Sequence, residues 1–233
     1  MDPGAARALA AALSRARPLP RVFYARPPRA LARALLGRML VHDDPRAGRL
    51  AGVIVEAEAY GGPDDPASHA HRGPTPRNRV MFGPAGVAYV YFTYGMHHCF
   101  NVVCGRHGHA AAVLVRALEP LLGLEAMRRR RGGADRARLA RGPGSLARAL
   151  GLDRAHDGLD LTRGPLWIAD LAARRGGHAV ACGPRVGIRL AAERPWRYWL
   201  AGSVFVSSGP AARPTSRTPR AGRRAVDTLA THS

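Results

Sequence analysis

The sequence predicts an α+β fold: one domain in which a curved antiparallel sheet, with a protruding β-hairpin, is flanked by helices. Three observations carry that expectation. Residues 50–60 alternate between two faces as a strand does. Three β-rich runs, 86–92, 99–104 and 110–118, follow one another at hairpin spacing with turn residues between them. The chain has 233 residues, 46% of them hydrophobic, enough for one core, and helix-like segments separate the strand runs.

The elements follow in order. Residues 1–17 are rich in Ala and Arg, and arginines interrupt every apolar run, so the apolar stretch of a secretory signal is missing. They read as a short surface helix or a frayed tail. A proline-rich entry at 18–28 opens the domain, expected to run from 18 to 208, and 30–40 reads as a helix. In the 50–60 strand Val53, Val55, Ala57 and Ala59 share one face, and Ile54, Glu56, Glu58 and Tyr60 the other. Residues 61–84 are turn-rich, a loop long enough to suggest a functional role. After the run 86–92, Tyr94-Gly95 marks a turn, and 99–104 returns. The third run, 110–118, is expected to end at Glu119-Pro120. Helices are expected at 121–131 and at 142–150 with Ser145 near its start, and closing strands at 180–190 and 196–206. Beyond Gly209, Pro, Ser, Thr and Arg dominate, the composition of a basic disordered tail over 209–233.

The formal charge is +20, with 36 basic residues against 16 acidic. Every basic residue is Arg, and neither Lys nor Gln occurs, which reads as codon bias. The imbalance itself points to a polyanionic partner, nucleic acid ahead of an acidic membrane. No apolar run approaches the roughly 20 residues of a membrane-spanning helix. Three cysteines, Cys99, Cys104 and Cys182, give no paired framework and fit a reducing cytosol.

Four groups of residues could carry chemistry. Glu58 shares its strand face with Glu56, about 7 Å along the strand. The two could be solvated and inert, or the carboxylate pair of an inverting sugar hydrolase. Tyr89 and Tyr91 share a face and could simply pack. Tyr94, at the hairpin tip, has no such use, and in a basic protein it suits a wedge in a base stack. Asn101, one of two asparagines, sits in an apolar strand and needs a hydrogen-bond partner, either a neighbouring loop or a ligand edge. His97, His98, Cys99, Cys104, His107 and His109 match no ligand spacing, so neither metal nor cofactor is expected.

These residues also carry a resemblance. The runs VEAEAYGGPDDPASHA (55–70), TPRNRVMF (75–82), AYVYFTYGMHHCFNVV (88–103) and VLVRALEP (113–120) resemble the alkyladenine, or 3-methyladenine, DNA glycosylase family of mammals and many bacteria. RGPGSLARALG (141–151), RVGI (185–188) and WRYWLAGSVFVS (196–207) extend the likeness in order. The resemblance implies that Glu58 activates water and that Arg116 helps position it. It further implies a base pocket of Tyr60, His69, Tyr91 and Asn101, and insertion of Tyr94 into the duplex. His97-His98, beside the Gly-Met turn, is a local departure. The implied activity is hydrolysis of the N-glycosidic bond of alkylated or deaminated purines flipped out of double-stranded DNA, in base excision repair. The expected enzyme is a monomer in the bacterial cytosol. With no lysine to form a Schiff base it is expected to be monofunctional, leaving an abasic site. Two rival readings are a non-enzymatic nucleic-acid-binding module, which gives Glu58 no task, and a nucleoside or sugar hydrolase, which leaves the charge unexplained.

Overall fold

The computed structural model describes residues 3–93, 95–171 and 177–208. In chain order its elements are α1 (Pro3–Arg15), α2 (Arg21–Tyr24), α3 (Pro28–Leu35), β1 (Met39–Asp44), β2 (Gly48–Tyr60), β3 (Ala88–Thr93), β4 (His97–Cys104) and β5 (Ala111–Leu122). There follow α4 (Leu124–Arg130), α5 (Arg136–Leu139), α6 (Pro143–Leu150), β6 (Leu166–Ala169), β7 (Val180–Gly183) and β8 (Arg197–Leu200).

All strand pairs are antiparallel, in one sheet ordered β3-β4-β5-β2-β1-β6. The long strand β2 organises it. One edge of β2 pairs with β5 from Ala51 to Tyr60. The other edge is divided: β1 takes residues up to Val53, and β8, backed by β7, takes Glu56 to Glu58. Between those halves the β2–β5 register slips, because Ile54 faces Leu118 while Glu56 already faces Ala117. Such bulges bend a strand and raise its twist, and here they curl the sheet into a half-barrel. A second slip at Gly52 brings the backbones so close that a Cβ there would lie 2.7 Å from the Glu119 carbonyl oxygen. Only glycine fits that approach.

Helices close the sheet. α3 starts with Pro28, whose fixed φ suits a first helical position, and it buries Leu31, Ala32 and Leu35. α1 also docks: Leu9 and Leu13 are 5% and 1% exposed.

Four expectations are corrected. The helix expected at 30–40 ends at Leu35, and residues 39–44 form β1. Gly37, at φ +84°, breaks the helix, and hydrogen bonds from Gly37 N to Ile54 O and from Ile54 N to Arg38 O start the pairing with β2. A short apolar run such as 39–41 reads equally as helix or strand by periodicity. β5 continues past Glu119-Pro120 to Leu122, because Pro120 falls at the Gly52 irregularity, where a missing N–H is tolerated. The two closing strands are only four residues each, and residues 184–196 form a loop packed on the end of β2. β6, which pairs with β1, went unanticipated. Among the described residues, no helix is long and apolar enough to cross a membrane.

Candidate active site

The inner side of the curl holds a cavity of about 310 Å³. Tyr60 reaches it from the end of β2, His69 from the following loop, Tyr91 from β3, Asn101 from β4 and Arg116 from β5. Residues distant in sequence converge because β2, β5, β4 and β3 are successive neighbours in the curled sheet and turn these side chains to one face. Val186, Gly187 and Ile188, from the loop before β8, form another part of the wall. Tyr94 lies outside the described residues, as does the segment 209–233.

Glu58 sits directly behind this wall, fully buried. Its Oε2 accepts from the Tyr60 hydroxyl at 2.9 Å, and its Oε1 accepts from the Val186 backbone N–H at 2.7 Å. Arg116 Nη1 lies 3.3 Å from Oε1. Burial pushes the Glu58 pKa up, and Arg116 and the two hydrogen bonds only partly counter it. Burial also raises the Tyr60 hydroxyl well above its usual value, so it stays a donor.

Glu56 is equally buried but differently occupied. Its Oε1 accepts from Arg116 Nε at 2.9 Å, from Arg197 Nε at 2.7 Å and from the Ser207 hydroxyl at 2.9 Å, and its Oε2 accepts from Ser207 N at 2.7 Å. Neither carboxylate is solvated. Glu56 is engaged as a tie between β2, β5, β8 and residue 207, whereas Glu58 is backed against the cavity. Arg116 joins the two; burial disfavours its charge, yet Glu58 and Glu56 outweigh that and raise its pKa.

The other wall is aromatic. The His69 and Tyr91 rings meet edge to face with centroids 4.6 Å apart, and Tyr89 and Tyr91 are 5.2 Å apart. His69 Nδ1 is 3.0 Å from the Tyr89 hydroxyl. Burial, and then the Arg77 charge, lower the His69 pKa, so the ring is neutral near pH 7. Arg77 lies over the Tyr91 ring at 5.2 Å and donates to the Phe92 carbonyl at 3.1 Å. Asn101, 4% exposed, donates from Nδ2 to the Tyr89 carbonyl at 3.2 Å.

Three residues behind the site carried no assignment from sequence reasoning. Asn78 is buried and ties the loop that carries His69, donating to the His69 and Gly73 carbonyls at 2.7 and 3.0 Å. Asp65 and Arg185 form a two-pronged pair with both side chains fully buried. The only signal available for Asn78 was the rarity of asparagine, and an Asp in a turn-rich loop gave none. Among the described residues no group of three or more His, Cys, Asp or Glu could hold a metal ion.

A buried carboxylate behind a cavity walled by aromatic rings, in a basic α+β half-barrel, is an enclosed pocket beside a candidate general base. Comparison with known proteins then makes the assignment. The family model described as methylpurine-DNA glycosylase matches residues 22–204. A relative from Rhodopseudomonas palustris is 51% identical over 197 residues, covering 84% of this chain and 94% of its own. One from Frankia casuarinae is 52% identical over 206 residues, covering 84% and 93%, and one from Burkholderia lata is 49% identical over 199 residues, covering 84% and 93%. All three carry the name "Putative 3-methyladenine DNA glycosylase". The chain belongs to the methylpurine-DNA glycosylase family. It is a DNA-binding base excision repair glycosylase, a hydrolase of N-glycosidic bonds.

Proposed function

We propose that the cavity receives one damaged purine flipped out of double-stranded DNA and that Glu58 activates the water that displaces it. The observation that carries this reading is the buried Glu58 carboxylate, held by Tyr60, Val186 and Arg116, directly behind a cavity lined with aromatic rings. The names of the relatives point to 3-methyladenine, and the same chemistry suits 7-methylguanine. A purine alkylated at N3 or N7 is cationic; tyrosine faces attract it, and a neutral His69 does not repel it. The water oxygen bonds to C1′ while the C1′–N bond breaks. The electron pair of that bond leaves with the purine, now neutral, and the water proton passes to Glu58. The carboxylate also stabilises the positive charge that develops on the sugar. A charged leaving base needs no acid, which agrees with a Glu56 whose lone pairs are already taken.

Arg116 orients the water, and Asn101 serves as a selectivity group. With no lysine in the chain, strand cleavage through a Schiff base is closed, so the product is an abasic site. We assign the glycosylase domain to residues 18–208, preceded by residues 1–17, of which Pro3–Arg15 form α1, and followed by a basic tail. Action as a monomer in the bacterial cytosol completes the reading. The deciding assay compares release of free base from alkylated duplex DNA with release from the free nucleoside. Release confined to duplex is expected. Equal release from the nucleoside would replace this reading with a nucleoside hydrolase, and binding without release with a binding module.

Three further outcomes follow from the same reading. Non-specific DNA binding weakens with salt, log affinity falling by about 0.9 per phosphate contacted for each tenfold rise in salt; a flat titration would leave the +20 charge without its partner. Tyr94→Ala weakens flipping, read as a smaller fluorescence change from a reporter base at the lesion, with the melting temperature unchanged. A wedge that stacks on neighbouring bases contributes about 1–3 kcal/mol per base. Asn101→Ser raises excision of guanine-type bases relative to hypoxanthine. The amide crowds or strands the exocyclic N2 amine of guanine, and a buried amine without a partner costs about 1–3 kcal/mol. The ratio of single-turnover rates reads this out. An unchanged ratio with a lower melting temperature would leave Asn101 only its tie to the Tyr89 carbonyl.

A further inference from the structure

The Asp65–Arg185 pair lies one layer behind Glu58, outside the cavity lining. Arg185 Nη1 donates to Asp65 Oδ2 at 2.6 Å and Nη2 to Asp65 Oδ1 at 2.8 Å. The same guanidinium donates to the Ala59 carbonyl at 3.1 Å, in the peptide that joins Ala59 to Tyr60. It also donates to the Ala191 carbonyl at 3.3 Å, where the loop turns through a positive φ of 49°. The guanidinium carbon lies over the Tyr60 ring, 4.8 Å from the ring centre, and 5.1 Å from the centre of the Trp196 ring. The next residue along the chain is Val186, whose N–H bonds Glu58. The Asp65 charge balances that of Arg185, so what reaches the site is chiefly its geometry.

We propose that Arg185, locked by Asp65, is a positioning residue for the proposed general base: one guanidinium holds both Tyr60 and the Val186 peptide where they donate to Glu58. Guanidinium shape is needed for this. Two donors grip Asp65, further N–H groups reach the Ala59 and Ala191 carbonyls, and the same cation lies over the Tyr60 ring, a combination an ammonium cannot supply. The charged and titratable groups facing Glu58 are Arg116 from β5, Glu56 and Tyr60 from β2, and Cys99 from β4. None of these depends on Arg185 except Tyr60. Loss of Arg185 therefore removes two donors from the ionised carboxylate and leaves its burial intact. Fewer donors to the anion raise the pKa of the base.

The inference rests on the reading of Glu58 as general base, and the experiment separates the two. Single-turnover base release from alkylated duplex is measured from pH 5 to 9 for the wild type, Glu58→Gln, Arg185→Lys and Asp65→Glu, each beside a thermal melt. The wild-type rate should fall in acid, and that limb should vanish in Glu58→Gln. In Arg185→Lys the limb should move up by roughly one pH unit, giving about tenfold slower release on the acid side and a nearly unchanged alkaline plateau. Asp65→Glu keeps the counter-ion but shifts the guanidinium it grips, and should move the limb in the same direction by less; it carries the test if Arg185→Lys does not fold. A loss by one factor at every pH, or no loss, overturns the inference alone. Wild-type release with no acid limb, or with one that survives in Glu58→Gln, overturns the general-base reading and the inference with it.

Discussion

Glu58→Gln should slow release of an alkylated purine by about 100- to 10,000-fold, the range of a lost general base, while binding to damaged duplex changes little. Glutamine keeps the size of the side chain, and its amide oxygen can still accept from Tyr60 or Val186, but it cannot take a proton from water. The pH dependence has a definite sign. Burial raises the Glu58 pKa above the ordinary carboxylate value of about 4.3. Release should therefore be lost as pH falls through that raised value, because the protonated acid is no longer a base. Glu56→Gln is the informative contrast. Glu56 holds Arg116, Arg197 and Ser207, so its loss should appear first as a lower melting temperature. Equal rate losses in the two variants, with both still folded, would mean that the wrong carboxylate has been assigned.

Asp65→Ala should lower unfolding free energy by about 3–5 kcal/mol, because it leaves the Arg185 charge buried without its counter-ion. In a chain of 233 residues that corresponds to a melting temperature lower by roughly 10 °C. Glu125→Ala is the control. Glu125 and Arg129 also form an ion pair, 3.7 Å apart, but both side chains are largely in solvent. Its removal should cost no more than about 0.5 kcal/mol. Denaturant unfolding of both variants measures the difference. A small effect for Asp65→Ala would mean that the 184–196 loop relaxes to hydrate Arg185, and the rigid clasp behind the site would be wrong.

Much of the fold could be read from local pattern. Residues 50–60 alternate strictly, and the runs at 86–92 and 99–104 flank a Gly-marked turn, so β2, β3 and β4 were found within a few residues. The misses fall where neighbours decide. Met39 and Leu40 continue a helix-like apolar run, and only Gly37 and the waiting edge of β2 turn them into strand. Pro120 would ordinarily end a strand, and only the irregularity opposite, at Gly52, lets β5 continue. Residues 184–190 hold apolar residues that suggest the continuation of a strand, yet the burial of Arg185 against Asp65 makes them part of a loop.

The candidate site divides in the same way. Residue types and their order along the chain were enough to single out Glu58, Tyr60, His69, Tyr91, Asn101 and Arg116, and to tie them to a family. A motif is a statement about which side chains occur in order, and that is written in the sequence. Which of two carboxylates on one strand face is left behind the cavity wall with fewer partners is not, since Glu56 and Glu58 are alike in residue type and in spacing. That was decided mostly by partners distant in sequence: Arg116, Arg197 and Ser207, 60 to 151 positions away, close around Glu56, while Glu58 receives the nearby Tyr60 and the Val186 peptide 128 positions away at the cavity wall. Hydrogen-bond saturation is a property of three-dimensional neighbours, so the motif could name Glu58, but only the folded structure gives the physical reason that Glu56 is occupied as a tie.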